Sequence, residues 1–238
     1  MSARVESLPQ SCPMGRCDGS GWIEQDDGTA VACECRARRI AQARTRGVRS
    51  VLPAKFQGVS LDRPPISDMA RDPARKLALG VITGYIDELG KNVAEGRGLW
   101  LEGDVGTGKT TLAMLVSKRA IEAGHSVAIY SLPRLLARIR RTYDGATGEL
   151  SYLQFFERLT SVDLLHLDDL GAEKRSDWVL EQLYAIVDER YATNRSIIVT
   201  TNLDETALEE QIGKRTVSRL VEVCEKLPVF GEDHRWAA

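Results

Sequence analysis

The segment GDVGTGKT, Gly103–Thr110, lies between a short apolar run, GLWLE, and a stretch of helical apolar spacing over Thr110–Ala123 that Gly124 closes. That order of strand, glycine-rich turn and helix confines the chain to folds in which a loop wraps an anion at a helix N-terminus. Glycines at Gly103, Gly106 and Gly108 let backbone N–H groups converge on a phosphate. Lys109 can reach its terminal oxygens, and Thr110 offers a hydroxyl to a magnesium ion. Asp104, Val105, Thr107 and Thr111 complete the stretch expected to line the nucleotide. With glycine near ~7% of residues, such a pattern arises by chance on the order of once in a hundred chains of this size. A glycine-rich turn with an exposed lysine is the bland alternative, and the flanking strand and helix weigh against it.

The alternation continues downstream. SVAIYS reads as a strand, Leu132–Arg141 as a helix, VDLLHLDD as a strand, Asp177–Tyr191 as a helix and SIIVTTN as a strand. This predicts an α/β fold, a P-loop parallel sheet between helices. After Asn202 the spacing of Leu208, Ile212, Val217 and Leu220 is helical, and KLPVF offers a last strand. Ahead of the loop, Leu77, Val81, Tyr85 and Leu89 recur at helical spacing. Val51 to Pro73 carries prolines and little periodicity and reads as a surface linker. The organisation expected is a cysteine-rich module over 1–35, a basic helix and linker over 36–75, and the sheet domain over 76–238.

A phosphate loop needs a carboxylate on a neighbouring strand end to hold magnesium, and LLHLDD supplies Asp168 for it. Asp169 is then positioned to orient or deprotonate an attacking water, although it is one methylene shorter than the glutamate common in that role; Glu173 is a weaker candidate. Asn202, after the next strand, can hydrogen-bond the water or the terminal phosphate. Alone, the aspartates read equally well as turn or cap residues, and Asn202 reads more readily as a turn residue. Their order behind the phosphate loop favours chemistry.

The formal net charge of −2 says nothing about nucleic acid, and 43% hydrophobic residues are ordinary for a globular chain. No apolar run approaches the roughly 20 residues of a membrane helix, and the first residues lack a secretory pattern, so a cytoplasmic location is expected. Cys12, Cys17, Cys33 and Cys35 cluster near the start, and in a reducing compartment such a cluster suggests zinc rather than disulfides. The alternative is four free thiols. Cys224 reads as a small buried apolar residue. In so small a segment metal binding would supply most of the folding free energy, ~10–16 kcal/mol in zinc peptides.

Taken together, GDVGTGKT, LLHLDDLGAE, TTN and GKRTVSRL resemble the AAA+ ATPases of the DnaC/DnaI helicase-loader and IstB group. The resemblance covers roughly residues 99–235 and implies ATP hydrolysis with Mg2+. It further implies a homo-oligomer in which an arginine reaches the neighbouring subunit's nucleotide; Arg219 matches that position, with Arg215 beside it. Arg235 matches an arginine that senses nucleotide within its own subunit. Between the second and third strands, Arg134, Arg138 and Arg141 share one helix face opposite Leu135, Leu136 and Ile139. In related loaders this region lines a channel for single-stranded DNA, so these arginines read equally as phosphate contacts or as a solvated face, and Tyr143 offers a ring for a base. Several loader relatives carry a similar cysteine module that engages the replicative helicase; the four-residue gap between Cys12 and Cys17 departs from their pattern. The basic stretch Arg36–Arg49 could grip DNA or helicase, or simply be solvated. The function these features imply is an ATP-dependent helicase loader or adaptor. The alternatives are an IstB-type transposition helper and a nucleotide-switched binding module with negligible hydrolysis.

Overall fold

The structure, a computed structural model, describes residues 12, 14–26, 28–36, 52–143 and 150–231. The chain divides into two compact units, Met1–Ala43 and Arg44–Ala238.

In the first unit, strands β1 (Trp22–Glu24) and β2 (Ala30–Ala32) form an antiparallel hairpin. Cys12, Cys33 and Cys35 are buried together, with Cys17, Met14 and Ile23 packed against them. Among the described residues of this unit, the buried cluster consists of cysteines with few apolar side chains around them.

The second unit begins with a short 3-10 turn at Ala54–Phe56 and then α1 (Ile66–Met69), α2 (Pro73–Asp87) and α3 (Leu89–Ala94). Next come β3 (Gly98–Glu102), α4 (Lys109–Glu122), β4 (Val127–Ser131), α5 (Leu132–Tyr143), α6 (Tyr152–Ser161) and β5 (Leu164–Asp168). The chain continues through α7 (Asp177–Ala192), β6 (Ser196–Thr201), α8 (Glu205–Ile212), α9 (Lys214–Val223) and β7 (Cys224–Pro228). Strands β4, β5, β6, β3 and β7 lie in that order in one five-stranded sheet, every neighbouring pair parallel. After β3 the chain jumps to the far edge at β4, so the strand order reverses beside β3. In open parallel sheets that reversal is where a crevice for ligands opens, at the carboxyl ends of the strands.

Both sheet faces are covered, which is why the strands read as continuous apolar runs. Alternate residues enter opposite layers: Leu99, Leu101 and Ile198 pack with α2, α3 and α4, while Trp100, Ile197 and Val199 pack with α5 to α9. The proline-bearing stretch before α2 belongs to the first of these layers, burying Leu52, Phe56, Val59, Ile66 and Met69. On α2 the buried face is Ala78, Ile82 and Tyr85, whereas Leu77 is 76% exposed. Spacing alone gives the helix but sets its apolar stripe one residue off at the N-terminal end. Helix α6 lies outside the elements expected from periodicity; its signal is a capping box, Ser151 with Gln154. The terminal strand begins earlier than KLPVF, at Cys224, and pairs with β3.

Candidate functional site

The glycine-rich loop leaves β3 at Glu102 and enters α4 at Lys109. Two of its glycines are required, Gly103 by its backbone neighbour and Gly108 by its backbone conformation. Gly103 has φ 141° and a Cβ there would strike the carbonyl of Val229; Gly108 has φ 104° and a Cβ would strike the Met69 methyl. The loop is therefore held between the chain following β7 and α1. Lys109 Nζ donates to the carbonyls of Gly103 at 2.8 Å and Asp104 at 2.6 Å, keeping the ammonium at the mouth of the loop. Thr107, fully buried, donates to the Asp104 carbonyl at 3.0 Å. Val105 at the tip is exposed.

Asp168 ends β5 beside this loop. Its Oδ1 accepts from Thr110 Oγ1 at 2.9 Å and from Thr200 Oγ1 at 2.8 Å. His166 Nε2 lies 3.8 Å from the same oxygen, while its Nδ1 meets Ser117 Oγ of α4 at 2.9 Å. Burial works against the Asp168 carboxylate, but His166 and the two hydroxyls outweigh it and hold its pKa below the usual range. Asp168 is therefore an ionised acceptor pointed at the first hydroxyl of the phosphate-loop helix.

Asp169 turns the other way. Its φ is 60°, in the left-handed region that costs most residues but is open to aspartate. The Asp169 N–H donates to Thr200 Oγ1 at 2.8 Å, and Asn202 Nδ2 donates to Asp169 Oδ1 at 2.9 Å. The unusual backbone thus sends two adjacent carboxylates to different places, one partly buried against α4 and one exposed beside Asn202. Lys109, Thr110, Asp168, Asp169 and Asn202 converge at the carboxyl edge of β3, β5 and β6. Glu173 instead accepts at its carbonyl from Gln211 Nε2.

A cavity of about 560 Å³ adjoins the loop, lined by Gly106, Gly108 and Thr111 on one side and Pro65, Met69 and Arg75 on the other. This cavity draws on Pro64 to Arg75, most of it within the proline-bearing stretch read as a surface linker. Arg75 is buried and pairs with Asp72 at 2.7 Å.

The remaining site residues lie apart from this edge. Arg219, on α9, pairs with Asp188 of α7 at 3.1 Å and lies 4.2 Å from the Tyr191 ring centroid; Arg215 is exposed at the start of α9. Arg235 lies outside the described residues. On α5, Leu135, Leu136 and Ile139 are buried, Arg134 and Arg141 are exposed and Arg138 is half-buried. At its end Tyr143 stacks on Tyr152, ring centroids 5.4 Å apart, with Arg140 over Trp178 nearby at 4.7 Å. These extra aromatics follow from α6 and α7 packing beside α5, which sequence spacing does not reveal.

In the first unit the Sγ atoms of Cys12, Cys17, Cys33 and Cys35 all lie within 4.8 Å of one another, with Cys12–Cys33 at 3.8 Å and Cys17–Cys35 at 3.5 Å. A tetrahedral zinc with bonds of about 2.3 Å sets its sulfurs roughly 3.8 Å apart, so the donor set fits that ion. Burial works against the Cys12 thiolate, but the backbone N–H groups of Arg16, Met14 and Cys17 lower its pKa to about 6. The longer Cys12–Cys17 gap is thereby absorbed in a turn, with Gly15 N–H on the Cys12 carbonyl at 3.0 Å. Burial raises Cys224, in the other unit, far above the thiol range and leaves it inert.

A five-stranded parallel sheet with a phosphate loop after β3 and an acidic pair at the end of β5 defines an ATP-binding P-loop protein of the AAA+ kind. The chain belongs to the IstB-like ATP binding protein family, whose model matches residues 90–237. It is similar to the replicative helicase loader DnaC of Buchnera aphidicola subsp. Schizaphis graminum, 29% identical over 57% of this chain and 54% of that protein. It is also similar to an insertion sequence ATP-binding protein of Sinorhizobium fredii, 33% identical over 56% of this chain and 54% of that protein. The match thus spans about half the length of these curated relatives. A crystal structure of the DnaC helicase loader superposes with TM-score 0.64 at 26% identity, covering 74% of this chain and 99% of that one.

Proposed function

We propose that this chain is a cytoplasmic ATPase that loads or adapts a replicative helicase on single-stranded DNA. The observation that carries the ATPase reading is the convergence of Lys109, Thr110, Asp168, Asp169 and Asn202 at one sheet edge. In this reading the residues Gly103 to Thr111 bind the triphosphate, backbone N–H groups and Lys109 meeting its oxygens. Thr110 and Asp168 would hold Mg2+, which when bound neutralises charge on the β- and γ-phosphates. The cavity beside Met69 and Arg75 takes the nucleoside.

Hydrolysis forms a bond from water oxygen to the γ-phosphorus and breaks the bond to the β,γ-bridging oxygen, which leaves on ADP. Asp169 orients that water and accepts its proton, and Asn202 fixes the Asp169 carboxylate by the hydrogen bond described above. Arg219 is the arginine offered to a neighbouring subunit, and Arg235 contacts nucleotide in its own subunit. Arg134, Arg138 and Arg141 meet DNA phosphates while Tyr143, backed by Tyr152, supplies a stacking surface. The four cysteines hold zinc, and the module so folded engages the helicase.

Similarity to a DnaC loader supports this assignment, and the insertion-sequence relative favours a second reading, a helper that directs a transposase to target DNA. Two measurements decide. Steady-state phosphate release, with and without single-stranded DNA, should show turnover that Asp168→Asn lowers on the order of 10²- to 10³-fold; stoichiometric binding without turnover would make the chain a nucleotide switch. Co-purification of the tagged chain from its host should recover the hexameric helicase, lost on Cys33→Ser with Cys35→Ser. Recovery of a transposase instead would establish the second reading.

A further inference from the structure

The hairpin of the first unit has an outer face that breaks the usual rule for a small sheet. Register pairs Trp22 with Ala32 and Glu24 with Ala30, so these residues share one side, while Ile23 and Val31 share the other and Ile23 packs on the cysteine cluster. A sheet face turned away from its core is ordinarily polar. Here Trp22, Ala30 and Ala32 are all exposed and apolar, with Glu24 opposite Ala30; Val31, beside Ile23, is also partly open at 41% exposure.

Trp22 is 43% exposed. Arg36 lies 3.8 Å from its ring centroid and covers one side of the ring, leaving the rest open. The small alanines opposite leave the indole standing above its surroundings, and a groove of about 670 Å³ runs past it, lined also by Ser20, Glu24 and Ala30. Tryptophan is the side chain most enriched among residues that dominate protein interfaces.

Charge decides what this face accepts. The described part of the module carries Asp18, Glu24, Asp26 and Glu34 against Arg16 and Arg36, and four thiolates holding a divalent ion would add further negative charge. An exposed indole beside an arginine would suit a nucleic-acid base, but Asp18 and Glu24, which line the groove beside Trp22, disfavour a phosphate there.

We propose that the outer face of the β1–β2 hairpin, centred on Trp22, is a docking surface for a protein that presents an apolar pocket rimmed by lysine or arginine. This rests on the reading of the module as the part that engages the helicase. Trp22 fills the pocket, and Glu24 with Asp26 meets the basic rim.

The test uses the full, zinc-loaded chain and the purified replicative helicase of the same host, with affinity measured at two salt concentrations. Trp22→Ser should weaken binding at least ~10-fold, Trp22→Phe should retain most of it, and Glu24→Lys with Asp26→Lys should weaken it most at low salt. One zinc per chain in each variant shows that the module is intact. If Trp22→Ser loses zinc, Ala30→Lys, which spoils the shelf and leaves the indole, decides in its place. Binding by the parent chain that these substitutions leave unchanged overturns the docking surface and leaves the loader reading standing. Absence of helicase binding by the parent chain overturns both. Trp22-dependent capture of an oligothymidylate, or Trp22-dependent self-association, overturns the basic-protein partner in favour of DNA or a second copy.

Discussion

Thr110 Oγ1 and Asp168 Oδ1 lie 2.9 Å apart, joining the first turn of α4 to the end of β5 across 58 residues of sequence. The contact ties the phosphate loop to the carboxylate that would share its metal. Asp168→Asn preserves an acceptor for Thr110 and removes the charge. Phosphate release should fall on the order of 10²- to 10³-fold, while affinity for a fluorescent ATP analogue changes only a few-fold. Unchanged turnover would remove Asp168 from the site.

Asn202 and Asp169 are held by a single hydrogen bond of 2.9 Å. If they act as a unit, their effects on kcat will not add. Asp169→Asn and Asn202→Ala should each slow hydrolysis about 10²-fold or more, and the double variant should be little slower than the slower single one. Full additivity in kcat would separate their roles.

Arg190 is 1% exposed and donates to the carbonyls of Thr160 at 2.9 Å, Val162 at 3.0 Å and Asp163 at 3.3 Å, with Ser196 also bonded. Burial lowers its pKa to about 9, so it remains charged at neutral pH. One guanidinium thus closes the end of α6 and the starts of β5 and β6. Arg190→Met should cost about 3–5 kcal/mol in urea unfolding, because the carbonyls lose their donors together.

Zinc removal should act on one unit alone. A strong chelator is expected to abolish amide exchange protection across β1 and β2, since the cluster there has few apolar residues to replace the metal. The unit Arg44–Ala238 should melt as before, which calorimetry with and without chelator will show.

Replacing Arg134, Arg138 and Arg141 together by alanine should weaken oligothymidylate binding and flatten its dependence on log salt by about 2, at roughly 0.7 for each phosphate no longer neutralised. An unchanged slope would leave these arginines as solvated side chains of α5.

The parts legible in the sequence are those that local patterns encode. The phosphate loop, the acidic pair and the alternating strands and helices each occupy a contiguous stretch whose periodicity or residue types follow from backbone geometry. What is illegible is assembled from distance. Nothing near Arg190 in sequence reveals that carbonyls from 159 to 163 and Ser196 surround it, and nothing in 64–75 announces a cavity beside Gly108. The Leu77 stripe misleads because a helix advances 100° per residue, so a four-residue repeat drifts off one face within three turns. His166 reads as one more apolar strand position, yet its Nδ1 meets Ser117 and its Nε2 lies 3.8 Å from Asp168. The cysteine spacing suggests four ligands, while the turn that brings Cys12 near Cys33 depends on backbone bonds at Gly15 and Gly21.

Thr200 receives the Asp169 N–H and gives its own proton to Asp168, and Asn202 follows two residues on. Both aspartates therefore take part of their alignment from one hydroxyl of β6, Asp168 sharing its oxygen with Thr110 of α4 as well. Such an edge works like a pair of jaws on one screw: Thr200→Val, which keeps the shape of the side chain, would take one hydrogen bond from each aspartate at once.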